Sequence, residues 1–206
     1  MINLYETFKK SCLPFTADQH LINDLWLEIE QKYSGKGRYY HNLEHIGNMF
    51  LEIEAVKKFI SNFSNISFAI FYHDVIYDSS SKSNEEKSAE FAQTRLQKLP
   101  MDHESVNRVC KQIVATKTHQ KSSDTDTNYL LDADLSILGK NLETYLDYTR
   151  KIRKEYSIYP DFLYKPGRKK VLQHFLELDN IFKTDYFKER YEVQAKLNIE
   201  YELRSL

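Results

Sequence analysis

Glycine and proline are scarce in this chain, at five and four of 206 residues. Turn formers so few, with no stretch of alternating apolar and polar residues, exclude a sandwich or barrel of short strands and predict an all-α fold. The two cysteines, Cys12 and Cys110, cannot build a disulfide framework, so reduced thiols and a cytoplasmic location are expected. No apolar run approaches membrane-spanning length. The start, Met1 to Glu6, lacks the charged and apolar regions of a signal peptide. Neither sign of charge is in excess: Lys plus Arg total 29 against 30 Asp plus Glu. No whole-molecule field therefore favours nucleic acid or a membrane surface, and an anionic ligand would need a local cluster of cations. Repeats, low-complexity tracts and linkers are missing too, which predicts one domain over residues 1–206.

What is present is helical periodicity. A short amphipathic helix is expected up to about Ser11, and a second from about Asp18 to Tyr33, ended by Gly35-Lys36-Gly37. The next should run from His41 or Asn42 to about Ile60, and an apolar helix should follow Asn62. After the polar loop Asp78–Ser83, the capping-box spacing of Ser83 and Glu86 starts a helix reaching about Leu99. Val106, Val109, Cys110, Ile113 and Val114 form a clean stripe on the helix after Asp102. Further helices are expected over Asn128 to Gly139, with Gly139 as the C′ residue, and over Asn141 to Tyr156. Tyr159 to Gly167, with two prolines, reads as a loop before helices at Arg168–Leu178 and Thr184–Leu203.

The chemistry lies in polar residues that the apolar pattern carries inward. His73 and Asp74 interrupt the run Phe63, Ile66, Phe68, Ile70, Phe71, Tyr72, Val75, Ile76, which leaves no polar face. A buried ionised aspartate costs several kcal/mol or more unless neutralised. Its partner is either a Lys or Arg from another helix or a divalent metal, to which imidazole and carboxylate are both suited. Asp134 falls mid-sector among Leu130, Leu131, Leu135, Ile137 and Leu138, while Asp132 points the other way. Asp134 is therefore expected to be buried and Asp132 solvated; a buried ion pair or a distant helix cap would equally account for Asp134. His41 and His45, four apart, would share a helical face. Together His45, His73, Asp74 and Asp134 make a two-nitrogen, two-carboxylate set that leaves positions open for water and substrate on Mn, Fe, Co, Ni, Zn or Mg.

These residues resemble the H…HD…D pattern of the HD superfamily of metal-dependent phosphohydrolases, and more narrowly a bacterial family within it. The matching stretches are Arg38 to Ile46, Tyr72 to Asp78, Asn84 to Ala89, Asp132 to Gly139 and Ile152 to Tyr156. The likeness runs from about Trp26, with core motifs to about 156 and helices over 166–205 packed on them; arginines expected around Leu178 and Lys196 are absent. The resemblance implies an HD-domain helical bundle that hydrolyses a nucleotide or other small phosphate ester, with the ion activating a water. Asp74 would then be catalytic as well as a ligand. His41 resembles the first histidine of the H-N-x-x-H stretch in cyclic-nucleotide phosphodiesterases, where it protonates the leaving oxygen. Arg38, Arg153 and Arg168 are candidate phosphate clamps, and Glu85 and His119 candidate substrate or further metal contacts. At His119 the favourable placement of a histidine at a helix C-terminus accounts for the residue equally well. The alternatives are an HD-fold di-iron oxygenase and a non-catalytic metal- or nucleotide-binding module.

Overall fold

Asn and Asp side chains set most of the helix starts. In the computed structural model, which describes residues 2–206, Asn3 caps α1 (Leu4–Cys12), Asp18 caps α2 (Gln19–Tyr33), Asn42 caps α3 (Leu43–Ala55) and Asn62 caps α4 (Phe63–Tyr72). In each, a side-chain oxygen accepts a first-turn N–H that has no partner inside the helix. After α5 (Asn84–Leu96), the same device opens α6 (His103–Ala115), α7 (Thr125–Leu135) and α8 (Leu142–Glu155) from Asp102, Asp124 and Asn141. Two longer helices, α9 (Asp161–Glu177) and α10 (Asp185–Ser205), complete the chain. Among the described residues there is no strand, so the fold is all-α, as the composition predicts.

α4 packs against α1, α3, α5, α6 and α7, while α10 packs on α9 and on the 3₁₀ turn that follows α7. That packing is why the α4 sequence is apolar on every side: Ile66, Phe68, Ala69, Ile70, Phe71 and Tyr72 are fully buried. Phe8, Trp26, Phe50 and Phe71 interlock edge-on or tilted across α1, α2, α3 and α4. No helix among the described residues is long and apolar enough to cross a membrane.

Several boundaries depart from the sequence pattern. α3 stops at Ala55, and a 3₁₀ turn over Lys57–Phe59 follows instead of a helix to Ile60. The buried carboxylate of Asp126 takes the N–H groups of Ser61 and Asn62 and draws the chain into α4. The capping box at Ser83 does not form: Ser83 pairs with Ser81, and Glu86 with Lys117. α9 begins at Asp161 and runs through Pro166, in a stretch expected to be a loop. Pro166 and Phe162 are both exposed, so the carbonyl that the proline leaves free faces water. Gly139 closes a 3₁₀ turn, Ser136–Gly139, without the left-handed backbone of a C′ residue. A glycine is needed there because α10 lies on it: a Cβ would stand 2.7 Å from the Tyr191 carbonyl oxygen.

Candidate metal centre

α4 ends where its backbone partners are diverted. The Ile70 carbonyl, which would accept the Asp74 N–H in a continued helix, instead accepts His73 Nδ1–H at 2.9 Å. The Asp74 N–H donates to the Tyr33 hydroxyl at 3.2 Å. Arg38 then takes the carbonyls of Asp74 (2.7 Å) and Val75 (3.0 Å), and its other bond, to the His41 carbonyl at 3.0 Å, ties the α2–α3 loop to the same point. His73 and Asp74 therefore lie at the C-terminal mouth of α4 and not within the helix. His45 enters from the first turn of α3, and Asp134 from the last turn of α7.

One donor atom each from His45, His73 and Asp74 lies within 4.8 Å of the others. His45 Nε2 and His73 Nε2 are 3.3 Å apart, and Asp74 Oδ2 is 3.1 Å from His73 Nε2. Asp134 joins this group through Oδ1, 3.2 Å from His45 Nε2 and 3.8 Å from His73 Nε2. Because His73 Nδ1–H is spent on Ile70, loss of the other ring proton would leave the Nε2 lone pair aimed into the cluster, the orientation an imidazole ligand needs. Two ring nitrogens facing each other between two carboxylates require a proton or a cation between them.

The electrostatics agree with that requirement. Burial pushes the Asp74 and Asp134 carboxyls up, but the surrounding histidines outweigh it: His73 and His41 hold Asp74 below the ordinary range, and His119, His45 and His73 hold Asp134 well below it. Burial lowers His73, yet the charge of Asp74 and its hydrogen bond raise it to about 9. For His45 burial prevails, aided by His73 and His41 against Asp134, and its pKa falls. Both carboxylates are thus ionised, and His73 supplies a proton where a cation would supply charge. This donor set suits a divalent ion of the Zn–Mn–Fe class.

Beside the cluster stands a second group. His41 precedes α3 and does not share a helical turn with His45, but its ring still reaches the site, with Nε2 3.9 Å from Asp74 Oδ2. Its Nδ1 donates to Glu155 Oε2 at 2.6 Å. Glu155 also accepts the N–H groups of Tyr40 and His41 and the hydroxyl of Tyr77, whose ring stacks on His41 at 4.3 Å. Glu155 and Tyr77 carry no assignment in the sequence reading. The signal for Glu155 was present: it continues the inward stripe Tyr145, Tyr148, Ile152 of α8 by one more helical step.

The two aspartates of α7 reverse their expected exposure. Asp132 is fully buried, whereas the Asp134 side chain keeps 16% of its surface. The face expected to meet solvent is covered by residues 181–184, where Asp132 accepts from Lys183 N–H, Thr184 N–H and the Thr184 hydroxyl. The distant helix cap considered for Asp134 is thus Asp132, holding the start of α10. His119 Nε2 contacts Asp134 Oδ2 at 2.8 Å from a left-handed backbone (φ 50), an unusual conformation for a histidine held at such a contact.

The three candidate phosphate clamps are all engaged by the protein. Arg38 binds the backbone carbonyls already named. Arg153 pairs with Asp161 and with the carbonyls of Tyr156 and Tyr159. Arg168 forms a two-pronged bond to Glu202, both side chains being largely buried. Glu85 is half-buried and makes no hydrogen bond among the described residues. No family model, curated protein or solved structure matches the chain.

Proposed function

We propose that the cluster of His45, His73, Asp74 and Asp134 holds a divalent metal ion and that the protein is a phosphohydrolase of the HD type, acting on a nucleotide or another small phosphate ester. The observation that carries this reading is the convergence of two imidazole nitrogens and a carboxylate within 4.8 Å, with a second carboxylate alongside. An ion bound there supplies Lewis acidity to a phosphoryl oxygen and a nucleophilic water at neutral pH. The protein's own groups provide the proton. Glu155 fixes His41 Nδ1–H, so Nε2 faces the Asp74 side of the cluster, and burial, which lowers the His41 pKa, is outweighed by Asp74 and Glu155. A protonated His41 is placed to give its Nε2 proton to a leaving oxygen.

The test is metal analysis of the purified protein, followed by a panel of nucleotides and phosphate esters with Mn, Co, Ni, Zn or Mg. Phosphate release abolished in His73→Ala and Asp134→Ala supports the reading. Two irons per chain with oxygen uptake would point to an oxygenase, and bound metal without turnover across the panel to a binding module; either result removes the hydrolase.

A further inference from the structure

Behind His41, on the side away from the metal ligands, a cleft of about 470 Å³ opens between the α2–α3 loop and the chain leaving α4. None of His45, His73, Asp74 and Asp134 lines it; Arg38, Tyr77 and Glu155 form the shared wall. Three cations and two carboxylates line it, and Lys32 Nζ also lies over the Phe91 ring at 5.6 Å. Lys32, Lys36 and Arg38 border it, and among the described residues none of the three has a carboxylate within ion-pair distance. The Arg38 guanidinium, half-buried at the wall, is bound to three carbonyls and lies over the rings of Tyr33 and Tyr77 at 4.9 and 5.5 Å, with no carboxylate paired to it. Of the two acids at the cleft, Glu155 has its charge paired with His41, whereas Asp78 stays at the rim as one opposing charge. Glu155 is saturated by four donors, and Asp78 is turned to its own loop, where one oxygen accepts both the N–H and the hydroxyl of Ser80. Gly35 and Gly37 contribute bare backbone to the rim, and Gly37, at φ 91, makes the turn that sends Arg38 inward.

We propose that this cleft is a binding site for a phosphate-class anion, either free phosphate or the phosphoryl end of a small ester, separate from the metal centre. An excess of cations around a glycine-bordered concavity is what oxygen-rich anions bind. The volume, within the usual range of about 300–1,000 Å³ for small-molecule pockets, leaves room for an ester's substituent. The inference stands without the phosphohydrolase reading, because the site needs no metal and no turnover.

The experiment is calorimetric titration of chelator-treated, full-length protein with inorganic phosphate, with chloride balancing ionic strength. Saturable binding is expected. It should weaken roughly tenfold in the Lys32→Ala/Lys36→Ala double variant, the loss expected for two screened charge-assisted contacts. It should be unchanged in Asp134→Ala, whose substitution lies at the metal centre on α7 and touches no residue of the cleft. Both lysines are exposed, and an unaltered melting temperature of the double variant verifies its fold. Displacement by a simple phosphomonoester identifies the ligand as a phosphoryl end; binding that the ester leaves intact identifies the free ion. Absence of saturation at millimolar phosphate, equal affinity in the double variant, or loss in Asp134→Ala each overturns the site.

Discussion

Asp132 and Asp134 sit two positions apart on α7 and do different work, and substitution should separate them. Asp132→Ala strands two backbone N–H groups and a hydroxyl at the start of α10, so a loss of about 2–4 kcal/mol in urea unfolding is expected. Asp134→Ala should leave the unfolding midpoint of chelator-treated protein much closer to wild type while weakening metal binding, read by competition with a chromogenic chelator. Equal destabilisation by both would refute this division. Glu155 sets a pH dependence. Burial raises its pKa, but its bonds to His41 and to the backbone of His41 and Tyr40 hold it below the ordinary carboxyl value. The folded protein therefore binds that proton less tightly than the unfolded chain. The stability it contributes is complete above the unfolded value, about 4.3, and is lost as pH falls through the folded one. His41, with a raised pKa, contributes below about 6.5, and its share is lost as pH rises through the folded value. Denaturant titrations across pH should show both edges flattened in Glu155→Gln; unchanged edges would mean the pair does not govern them. The helical wheel identified which α7 residues face a neighbour from only one side, because it takes the other side to be water.

At the scale of the elements, apolar stripes and breaks between them located most of the helices, and the misplacements have physical causes. Pro166 looked like a helix breaker, yet on an exposed face it costs one hydrogen bond that water replaces. Ser83 and Glu86 had capping-box spacing, but Ser81 and Lys117 engage them first. Gly139 was legible as a special position, although its reason was not: α10 packs on it, and no positive φ is involved. Gly139→Ala must push α10 backbone aside and should cost about 1–3 kcal/mol, the usual penalty of overpacking. Thermal unfolding checks this, and an unshifted transition would show that α10 yields freely.

For the whole molecule, the helices converge their polar residues at the mouth of α4, so ion binding and global stability should be linked. Any ion that binds only the folded state stabilises it, by about 2.7 kcal/mol when its concentration is a hundredfold above Kd. For a chain of this size each kcal/mol raises Tm by roughly 2–4 °C. Adding Zn or Mn to chelator-treated protein should therefore raise Tm by several degrees, and His73→Ala should abolish the rise. A rise retained in that variant would place the ion elsewhere.

The sequence by itself determined the all-helical class and the residues that gather in the His/Asp cluster, since periodicity acts over a few neighbours. Only the tertiary structure decided that Asp132 is the buried cap, that Glu155 and Tyr77 brace His41, and that Arg153 and Arg168 are paired with Asp161 and Glu202 while Arg38 bonds only backbone carbonyls. Each of those outcomes depends on a group supplied from a distant part of the chain, and no local pattern encodes which distant group arrives.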